Sequence, residues 1–242
     1  MTETKAQIRT RVWDALAETG AARFPFPPHG RIPNFAGARQ AAERCLALPP
    51  LAAARRVKIN PDAPQLPLRA AALDAGIVVY VPTPRLRGGF LELDPARIPA
   101  GERRRAASLS HMPRHARPVA LDALPELDAI VAGSVAVSRL GHRCGKGEGY
   151  ADLEYAVLRE LGQRPVPVLT TVAELQIVES IPADPLDLPL AFIATPDRTL
   201  EVASPPPPPA GLDWSRISDA RIAEMPILAE LRRRKDTGRH RT

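Results

Sequence analysis

A glycine-rich segment at residues 143–152 (RCGKGEGYAD) carries residue types that could bind an anion. Its glycines alternate with other residues at Gly145, Gly147 and Gly149. Glycine lets backbone N–H groups approach an anion closely, and a helix N-terminus adds partial positive charge. Because an apolar run precedes the segment and a helix-like pattern follows it, the order of strand, glycine loop and helix predicts a site for a phosphate group or a nucleotide.

Charged side chains of the same segment extend this interpretation. Arg143 and Lys146 could neutralise phosphate charge and are our candidates for catalytic cations, while Asp152 could reach a magnesium ion. The spacing matches neither a Walker A loop nor the GxGxxG dinucleotide fingerprint. The alternative is a tight turn that needs glycine only for backbone reasons.

A second pair of candidate cations lies near the N-terminus. Lys5 and Arg9 are four residues apart on the helix predicted over residues 4–18. They could bind phosphates if this helix packs beside the glycine loop, or they could form a solvated helix face.

A loop rich in proline and aromatic residues follows this helix. In it, Arg31 could bind a carboxylate or a phosphate through two parallel hydrogen bonds. We assign Arg31, Asn34, Phe35 and also Phe90, at the start of a predicted strand, to substrate binding. The alternative is a loop that is only held to the core by hydrogen bonds.

Arginines are concentrated between residues 103 and 117, where they could bind a polyanion or form a solvated segment. His111 and His115 have the spacing of metal ligands on a helix. Pro113 would break that helix, so we expect no metal there.

The composition limits the class of protein. The 242 residues carry a formal net charge of +6, which favours anionic ligands or nucleic acid without choosing between them. Cys45 and Cys144 are too few and too far apart for a disulfide framework or a zinc site. Since we find no apolar signal segment and no long apolar stretch, we expect a cytoplasmic protein that does not enter a membrane.

Short apolar runs alternate with helix-like patterns along the chain. Strands are predicted at residues 57–59, 77–81, 90–93, 127–137, 166–169 and 190–194, and helices at 4–18, 37–48, 66–75 and 152–161. This alternation predicts an α/β fold: a single domain with a mostly parallel sheet flanked by helices on both faces, in three Rossmann-like layers. In such sheets, ligands bind beyond the carboxyl ends of the strands, where we expect the glycine loop.

The last part of the chain differs in composition. We place the α/β domain at residues 1–203 and a C-terminal segment at 204–242, which contains the five-proline run Pro205–Pro209. Residues 211–231 are expected to pack on the domain, whereas the basic tail at 232–242 should fray.

The glycine loop also matches a family pattern. The pattern R-x-G-x-G-x-G-[YF]-Y-D is matched at Arg143, Gly145, Gly147, Gly149, Tyr150 and Asp152. A later pattern, Q…IP…HD-P…I-T, is matched at Gln176, Ile181, Pro182, Asp187, Pro189, Ile193 and Thr195. Through these motifs and the Lys5–Arg9 pair, the chain resembles the 5-formyltetrahydrofolate cyclo-ligase (methenyltetrahydrofolate synthetase) family over about residues 1–200.

The resemblance implies an enzyme that uses ATP and Mg²⁺ to convert 5-formyltetrahydrofolate to 5,10-methenyltetrahydrofolate. ATP would phosphorylate the formyl oxygen, N10 would attack the activated carbon, and phosphate would leave as the ring closes. Such a reaction needs positioning and charge neutralisation more than a nucleophilic side chain. The resemblance also implies that Asp152 holds Mg²⁺ and that ATP is bound by Lys5, Arg9, Arg143, Gly145, Lys146, Gly147, Glu148, Gly149 and Tyr150.

Some positions depart from the family pattern. Ala151 replaces an aromatic residue, Leu186 replaces a histidine, and Ala132-Gly133 replaces Pro-Gly. With phrases such as GKGEGYADLEY, the chain looks more like a divergent branch, the methenyltetrahydrofolate synthetase domain-containing type.

Three hypotheses follow, and the sequence predicts no oligomeric state. The first is a cyclo-ligase that acts on a reduced folate. The second is an ATP-dependent enzyme that acts on another heterocycle, such as one of thiamin metabolism. The third is a non-catalytic protein that binds RNA or a nucleotide through its basic surface.

Overall fold

The computed structural model describes residues 3–239. Its helices are α1 (Lys5–Glu18), α2 (Ala38–Leu46), α3 (Pro49–Ala52), α4 (Leu66–Asp74), α5 (Arg103–Ala106), α6 (Tyr150–Glu160), α7 (Asp219–Glu224) and α8 (Pro226–Arg239). Its strands are β1 (Ala22–Arg23), β2 (Asn34–Phe35), β3 (Arg56–Ile59), β4 (Val78–Pro82), β5 (Phe90–Leu93), β6 (Arg117–Val119), β7 (Ala129–Val131), β8 (Ala136–Ser138), β9 (Arg143–Cys144), β10 (Val168–Thr171), β11 (Ile177–Val178), β12 (Phe192–Ala194) and β13 (Thr199–Glu201). No helix within residues 3–239 is both long and apolar enough to cross a bilayer.

The central strands of an eight-stranded sheet are parallel. The sheet has the order β13-β12-β10-β7-β3-β4-β5-β6; the strands from β12 to β4 in this order pair in parallel, and β13, β5 and β6 pair antiparallel at the edges. A smaller sheet has the order β11-β8-β9, and β1 pairs with β2. The predicted α/β fold with a mostly parallel sheet is confirmed.

Alternation along the central strands assigns side chains to two faces. Val57 and Ile59 of β3 pack in the apolar cluster that includes α2 and α4, whereas Lys58 between them pairs with α6. On β4, Val79 belongs to the α2–α4 cluster and Tyr80 to the cluster that includes α6 and α8. Since successive residues of a strand point to opposite faces, helices cover both sides of the sheet, and the predicted three layers are confirmed.

Helix α1 begins at the signal that predicts it. Thr4 caps its N-terminus in a capping box with Gln7, and Ile8, Val12 and Leu16 are buried on one face. These apolar residues pack in a third cluster that includes Ala136 of β8 and Cys144 of β9. Because β8 leads through β9 into the glycine loop, this packing places α1 beside the loop.

The prediction of one strand at residues 127–137 is wrong. The chain forms β7 of the large sheet, leaves that sheet near Gly133, and then forms β8 of the small sheet. At Gly133 a Cβ atom would lie 2.6 Å from Asp62 Oδ2 and 3.1 Å from Ile32, so a side chain would not fit. The sequence conceals this crossing because β7 and β8 are both fully buried, so both consist mainly of apolar residues. The other predicted elements are confirmed with ends within two residues.

The chain after residue 203 packs against α6. Leu212, Met225 and Leu228 are buried in the cluster that includes α6. Helix α8 extends to Arg239, so residues 232–239 of the basic tail are helical in this structure, and the fraying expected there stays a prediction. The rest of the predicted tail, residues 240–242, lies outside the described residues. The domain boundary at residue 203 stays a prediction.

Candidate functional site

A cavity of about 310 Å³ opens at the carboxyl ends of three parallel strands. Asn60 follows β3, Pro82 ends β4, and Gly133 follows β7, and all three residues line the cavity. Most residues of the segment 145–152 form another wall. Open parallel sheets bind ligands at this edge.

The glycine loop presents backbone N–H groups that the protein leaves unpaired. Among residues 3–239, no acceptor is bonded to the N–H groups of Lys146, Gly147, Glu148 or Gly149. Gly147 and Gly149 have φ angles of 110° and 70°, a region that glycine adopts without strain. Gly149 also caps α6, whose dipole adds positive potential at the same point. Such a group of N–H donors can bind an anion.

Lys146 lines the cavity but is paired in this structure. Its Nζ lies 2.8 Å from Glu148 Oε2, and both side chains are more than a third exposed. An exposed ion pair of this kind contributes only about 0–1 kcal/mol. Lys146 can therefore exchange Glu148 for a more highly charged ligand at little cost.

Arg143 and Asp152 hold the two ends of the loop together. Arg143 is buried, and it donates from Nη1 to the Gly133 carbonyl and from Nη2 to Asp152 Oδ1, both at 2.8 Å. The Leu188 N–H also donates to Asp152 Oδ1, at 3.0 Å. Arg143 therefore has a structural role in this structure, although its charge still lies at the cavity wall.

The surroundings of Asp152 fit a metal ion that is held mainly by a ligand. Within residues 3–239, no group of three or more His, Cys, Asp and Glu side chains could hold an ion. Mg²⁺ usually binds one or two carboxylates together with substrate phosphates and water. Asp152 Oδ2 has no hydrogen-bond partner among the described residues, so it can supply one such ligand.

Helix α1 brings both of its predicted cations to the loop. Arg9 Nε donates to the Gly145 carbonyl at 2.7 Å, and a Cβ atom on Gly147 would lie 3.4 Å from the Arg9 guanidinium. Lys5 Nζ forms an ion pair with Asp187. Helix α1 therefore packs beside the loop, but Arg9 and Lys5 lie outside the cavity lining, and phosphate binding by these two residues stays a prediction.

The predicted substrate-binding residues lie outside the lining of this cavity. Phe35 and Phe90 are buried in two different apolar clusters. Asn34 donates to a backbone carbonyl of its own loop, and the Arg31 carbonyl accepts a bond from the indole of α1. These contacts fit the alternative of a loop held by hydrogen bonds. From the same loop, Ile32 lines the cavity.

Sequence reasoning missed Asp62, which lines the cavity after β3. Asp62 is half-buried, and the exposed part of its surface faces the cavity. Burial raises its pKa above the ordinary value, while nearby Lys146 acts in the opposite direction. The available signal was a run of polar and proline residues, Asn60 to Asp62, directly after a buried strand.

Arg85, after β4, is a second residue that sequence reasoning missed. It lines the cavity, and its guanidinium lies 5.9 Å from the ring centroid of Tyr150. Arg85 and Leu86 have φ angles of 55° and 52°, a region that costs free energy for residues other than glycine. Residues held in such conformations are concentrated at binding sites.

Proteins of known sequence and structure are similar to this chain. The model of the 5-formyltetrahydrofolate cyclo-ligase family matches residues 1–196. The methenyltetrahydrofolate synthase domain-containing proteins of Bos taurus and Mus musculus are 42% and 41% identical to it, over 96% of this chain and over 63% and 64% of their own length. The chain thus spans less than two thirds of these relatives.

A solved structure shares the fold. The 5,10-methenyltetrahydrofolate synthetase of Aquifex aeolicus superposes with a TM-score of 0.51 at 17% identity, covering 83% of this chain and 93% of that one. The region matched by the family model contains α1, the glycine loop and every strand of the large sheet except β13. The chain therefore belongs to the 5-formyltetrahydrofolate cyclo-ligase family.

Proposed function

We propose that this protein is an ATP- and Mg²⁺-dependent cyclo-ligase that converts 5-formyltetrahydrofolate to 5,10-methenyltetrahydrofolate. The observation that carries this proposal is the row of unpaired N–H groups from Lys146 to Gly149 at the carboxyl edge of the sheet. Family membership supplies the reaction, and the loop supplies a place where phosphate oxygens would be bound.

The chain's own residues would mainly position the reactants and neutralise charge. The loop N–H groups and Lys146 would bind phosphate oxygens of ATP, with Lys146 leaving Glu148. Asp152 Oδ2 would hold Mg²⁺, which neutralises charge as the phosphoryl group is transferred. Arg143 would keep Asp152 in place through the bond at 2.8 Å.

The heterocycle would lie at the other side of the cavity. Asp62 and Asn60 offer oxygens there, next to the loop. Burial raises the pKa of Asp62, so its ionised form is less favourable than that of an exposed carboxylate, and an N–H donor of a bound ring would stabilise it. We expect Asp62 to orient the ring that carries the formyl group.

One observation favours a second candidate function, an ATP-dependent enzyme that acts on another heterocycle. Ala151 lines the cavity at a position where the family pattern has an aromatic residue. Because a methyl group is much smaller than an aromatic ring, this change would leave room for a substrate of a different shape. In the 103–117 segment, Arg103 and Arg117 pair with Asp74 and Glu92, and RNA binding through the arginines of this segment stays a prediction.

The absorbance of the 5,10-methenyl product tests the proposal. We expect it to rise when the protein is mixed with MgATP and 5-formyltetrahydrofolate. Saturable MgATP binding without this rise would favour the second candidate, and a protein that binds no MgATP would contradict both candidates. Arg11→Ala is the control for loss of a cation, because Arg11 is exposed and pairs with Glu3 on the outer side of α1.

A further inference from the structure

The C-terminal segment contacts the glycine loop from outside the family-matched region. That region ends at residue 196, whereas α7 spans Asp219–Glu224. Helix α7 nevertheless lines a second cavity, of about 360 Å³, through Arg221. Glu148, Gly149 and Asp152 of the loop line this second cavity as well as the first. The loop is therefore a wall between the two cavities.

Arg221 makes three contacts that converge on the loop. Its Nη2 donates to the Glu148 carbonyl at 3.0 Å, and its guanidinium lies 4.8 Å from the ring centroid of Tyr150. Its Nη1 lies 3.1 Å from Glu224 Oε2, and that same oxygen accepts a bond from the Tyr150 hydroxyl at 3.0 Å. Arg221, Glu224 and Tyr150 thus form a closed network around one peptide of the loop.

The bond to the Glu148 carbonyl has a consequence for the next N–H group. A trans peptide is planar, and its N–H points opposite to its carbonyl. With the Glu148 carbonyl fixed on Arg221, the N–H of Gly149 must point away from Arg221. Gly149 has a φ angle of 70° and no bonded acceptor for its N–H, and glycine permits more backbone conformations than other residues, so the contact with Arg221 restricts this peptide.

Neighbouring contacts hold Arg221 itself in place. Ser218 caps α7 by accepting a hydrogen bond from the Arg221 N–H. Arg216 binds Asp184 through two bonds, at 2.9 and 2.6 Å, and these bonds lower the pKa of Asp184 to about 2. Met225, directly after α7, is fully buried. The segment is therefore attached on both sides of Arg221, as a side chain that positions a loop requires.

We propose that Arg221 is a positioning residue for the glycine loop, acting through the Glu148 carbonyl and the ring of Tyr150. The C-terminal segment is then part of the nucleotide-binding apparatus of this protein. This role in binding rests on the proposed function, because it takes the loop to be the triphosphate site. Arg221 acts by orienting the Gly149 N–H before the ligand arrives, so that less ordering remains to be done on binding.

The test compares Arg221→Ala with Arg221→Lys and with the control Arg39→Ala, which removes an exposed arginine of α2 that pairs with Glu43 of the same helix. In the ligand-free protein, we expect Arg221→Ala to shift the amide signals of Glu148 and Gly149, while Arg39→Ala leaves them unchanged. MgATP affinity should fall roughly tenfold in Arg221→Ala, which is the effect expected for the loss of one charge-assisted hydrogen bond. The KM for MgATP should change more than kcat. Arg221→Lys should recover part of this loss.

Two outcomes would overturn the proposal. The first is an amide signal of Gly149 that has the same position in ligand-free Arg221→Ala as in the wild-type protein. The second is a loss of MgATP affinity in Arg221→Ala that is fully explained by its lower thermal stability. The ligand-free spectra keep this test separate from the proposed function. If the wild-type protein binds no MgATP, the proposed function fails, while the amide comparison still decides whether Arg221 orients the loop.

Discussion

Lys58 on β3 and Glu154 on α6 form a buried ion pair, with 2.7 Å between Nζ and Oε2. Lys58 also donates to Asn60 Oδ1 at 2.7 Å, and both Asn60 and Glu154 line the cavity at the strand ends. The pair fixes the first turns of α6 against the sheet. Because the glycine loop leads directly into α6, the pair also fixes where the loop ends.

We predict that Lys58→Met lowers the free energy of unfolding by about 3–5 kcal/mol, because it leaves a buried carboxylate unpaired. The double variant Lys58→Met/Glu154→Leu should recover most of this loss. Urea denaturation measures both values. Arg39→Ala is the control: it breaks an exposed pair with Glu43 and should cost about 0–1 kcal/mol. Equal losses in the single and double variants would show that the unpaired carboxylate of Glu154 is not the cause of the loss.

The second prediction concerns Lys146. Lys146→Ala should weaken ATP binding by roughly tenfold or more, since it removes a charge-assisted bond to phosphate. Its thermal stability should change little, because the exposed pair with Glu148 contributes little. Isothermal titration of ATP measures the affinity, with Arg11→Ala as the matched control. Unchanged affinity in Lys146→Ala would remove Lys146 from the site.

The third prediction separates the two roles of Asp152. Asp152→Asn keeps an oxygen that can accept the Leu188 N–H but loses the charge that would hold Mg²⁺. We therefore expect MgATP binding to weaken far more than ATP binding in the presence of a chelator. A parallel titration with and without Mg²⁺ measures the difference. Equal losses under both conditions would assign Asp152 to the structure of the loop alone, through Arg143.

The fourth prediction concerns pH and Asp62. Burial raises the pKa of Asp62 in the folded state above the ordinary value of about 3.9. Between these two pKa values, the folded state binds more protons than the unfolded state. The free energy of unfolding therefore falls as the pH rises from the ordinary pKa through the raised one. Asp62→Asn removes the cost of burying an ionised carboxyl group. The gain in Tm of this variant should therefore be larger at neutral pH than below about pH 4. Each kcal/mol gained corresponds to about 2–4 °C in a protein of this size.

The same substitution should weaken binding of the heterocycle. Thermal scans at two pH values measure the stability of Asp62→Asn, and titration with 5-formyltetrahydrofolate measures its affinity. A variant that is less stable than the wild type at neutral pH would contradict the direction of the pKa shift. A more stable variant with unchanged folate affinity would take Asp62 out of the proposed substrate site.

The parts of the site that are local in sequence could be predicted. The glycine loop, the start of α6 and the capping box of α1 all depend on residues within a few positions of each other. The contact of Arg143 with Gly133 and that of Asp152 with Leu188 could not be predicted in this way, because these residues come together only after the strands assemble. For the same reason, the charge of Arg143 pointed to a ligand, whereas its partners in the structure are Gly133 and Asp152.

Contacts between residues that are distant in sequence also explain why some parts of the fold could not be predicted. Gly133 permits the chain to pass from β7 to β8 close to Asp62, but a single Gly-Ser pair between two apolar runs does not by itself indicate a change of sheet. Pro49 and Pro50 follow α2 and occupy the first turn of α3, a position that proline favours. An aromatic side chain such as Phe35 can either pack in the core or contact a ligand, and the sequence alone does not distinguish the two roles. In the folded structure Phe35 is buried in an apolar cluster.

Amide NMR during a titration with MgATP tests the central claim most directly. The account predicts that the backbone amide signals of Lys146, Gly147, Glu148 and Gly149 shift strongly and saturate together, because their unpaired N–H groups become donors to phosphate oxygens. Saturating binding that leaves these four signals in place, with shifts elsewhere in the protein, would contradict it.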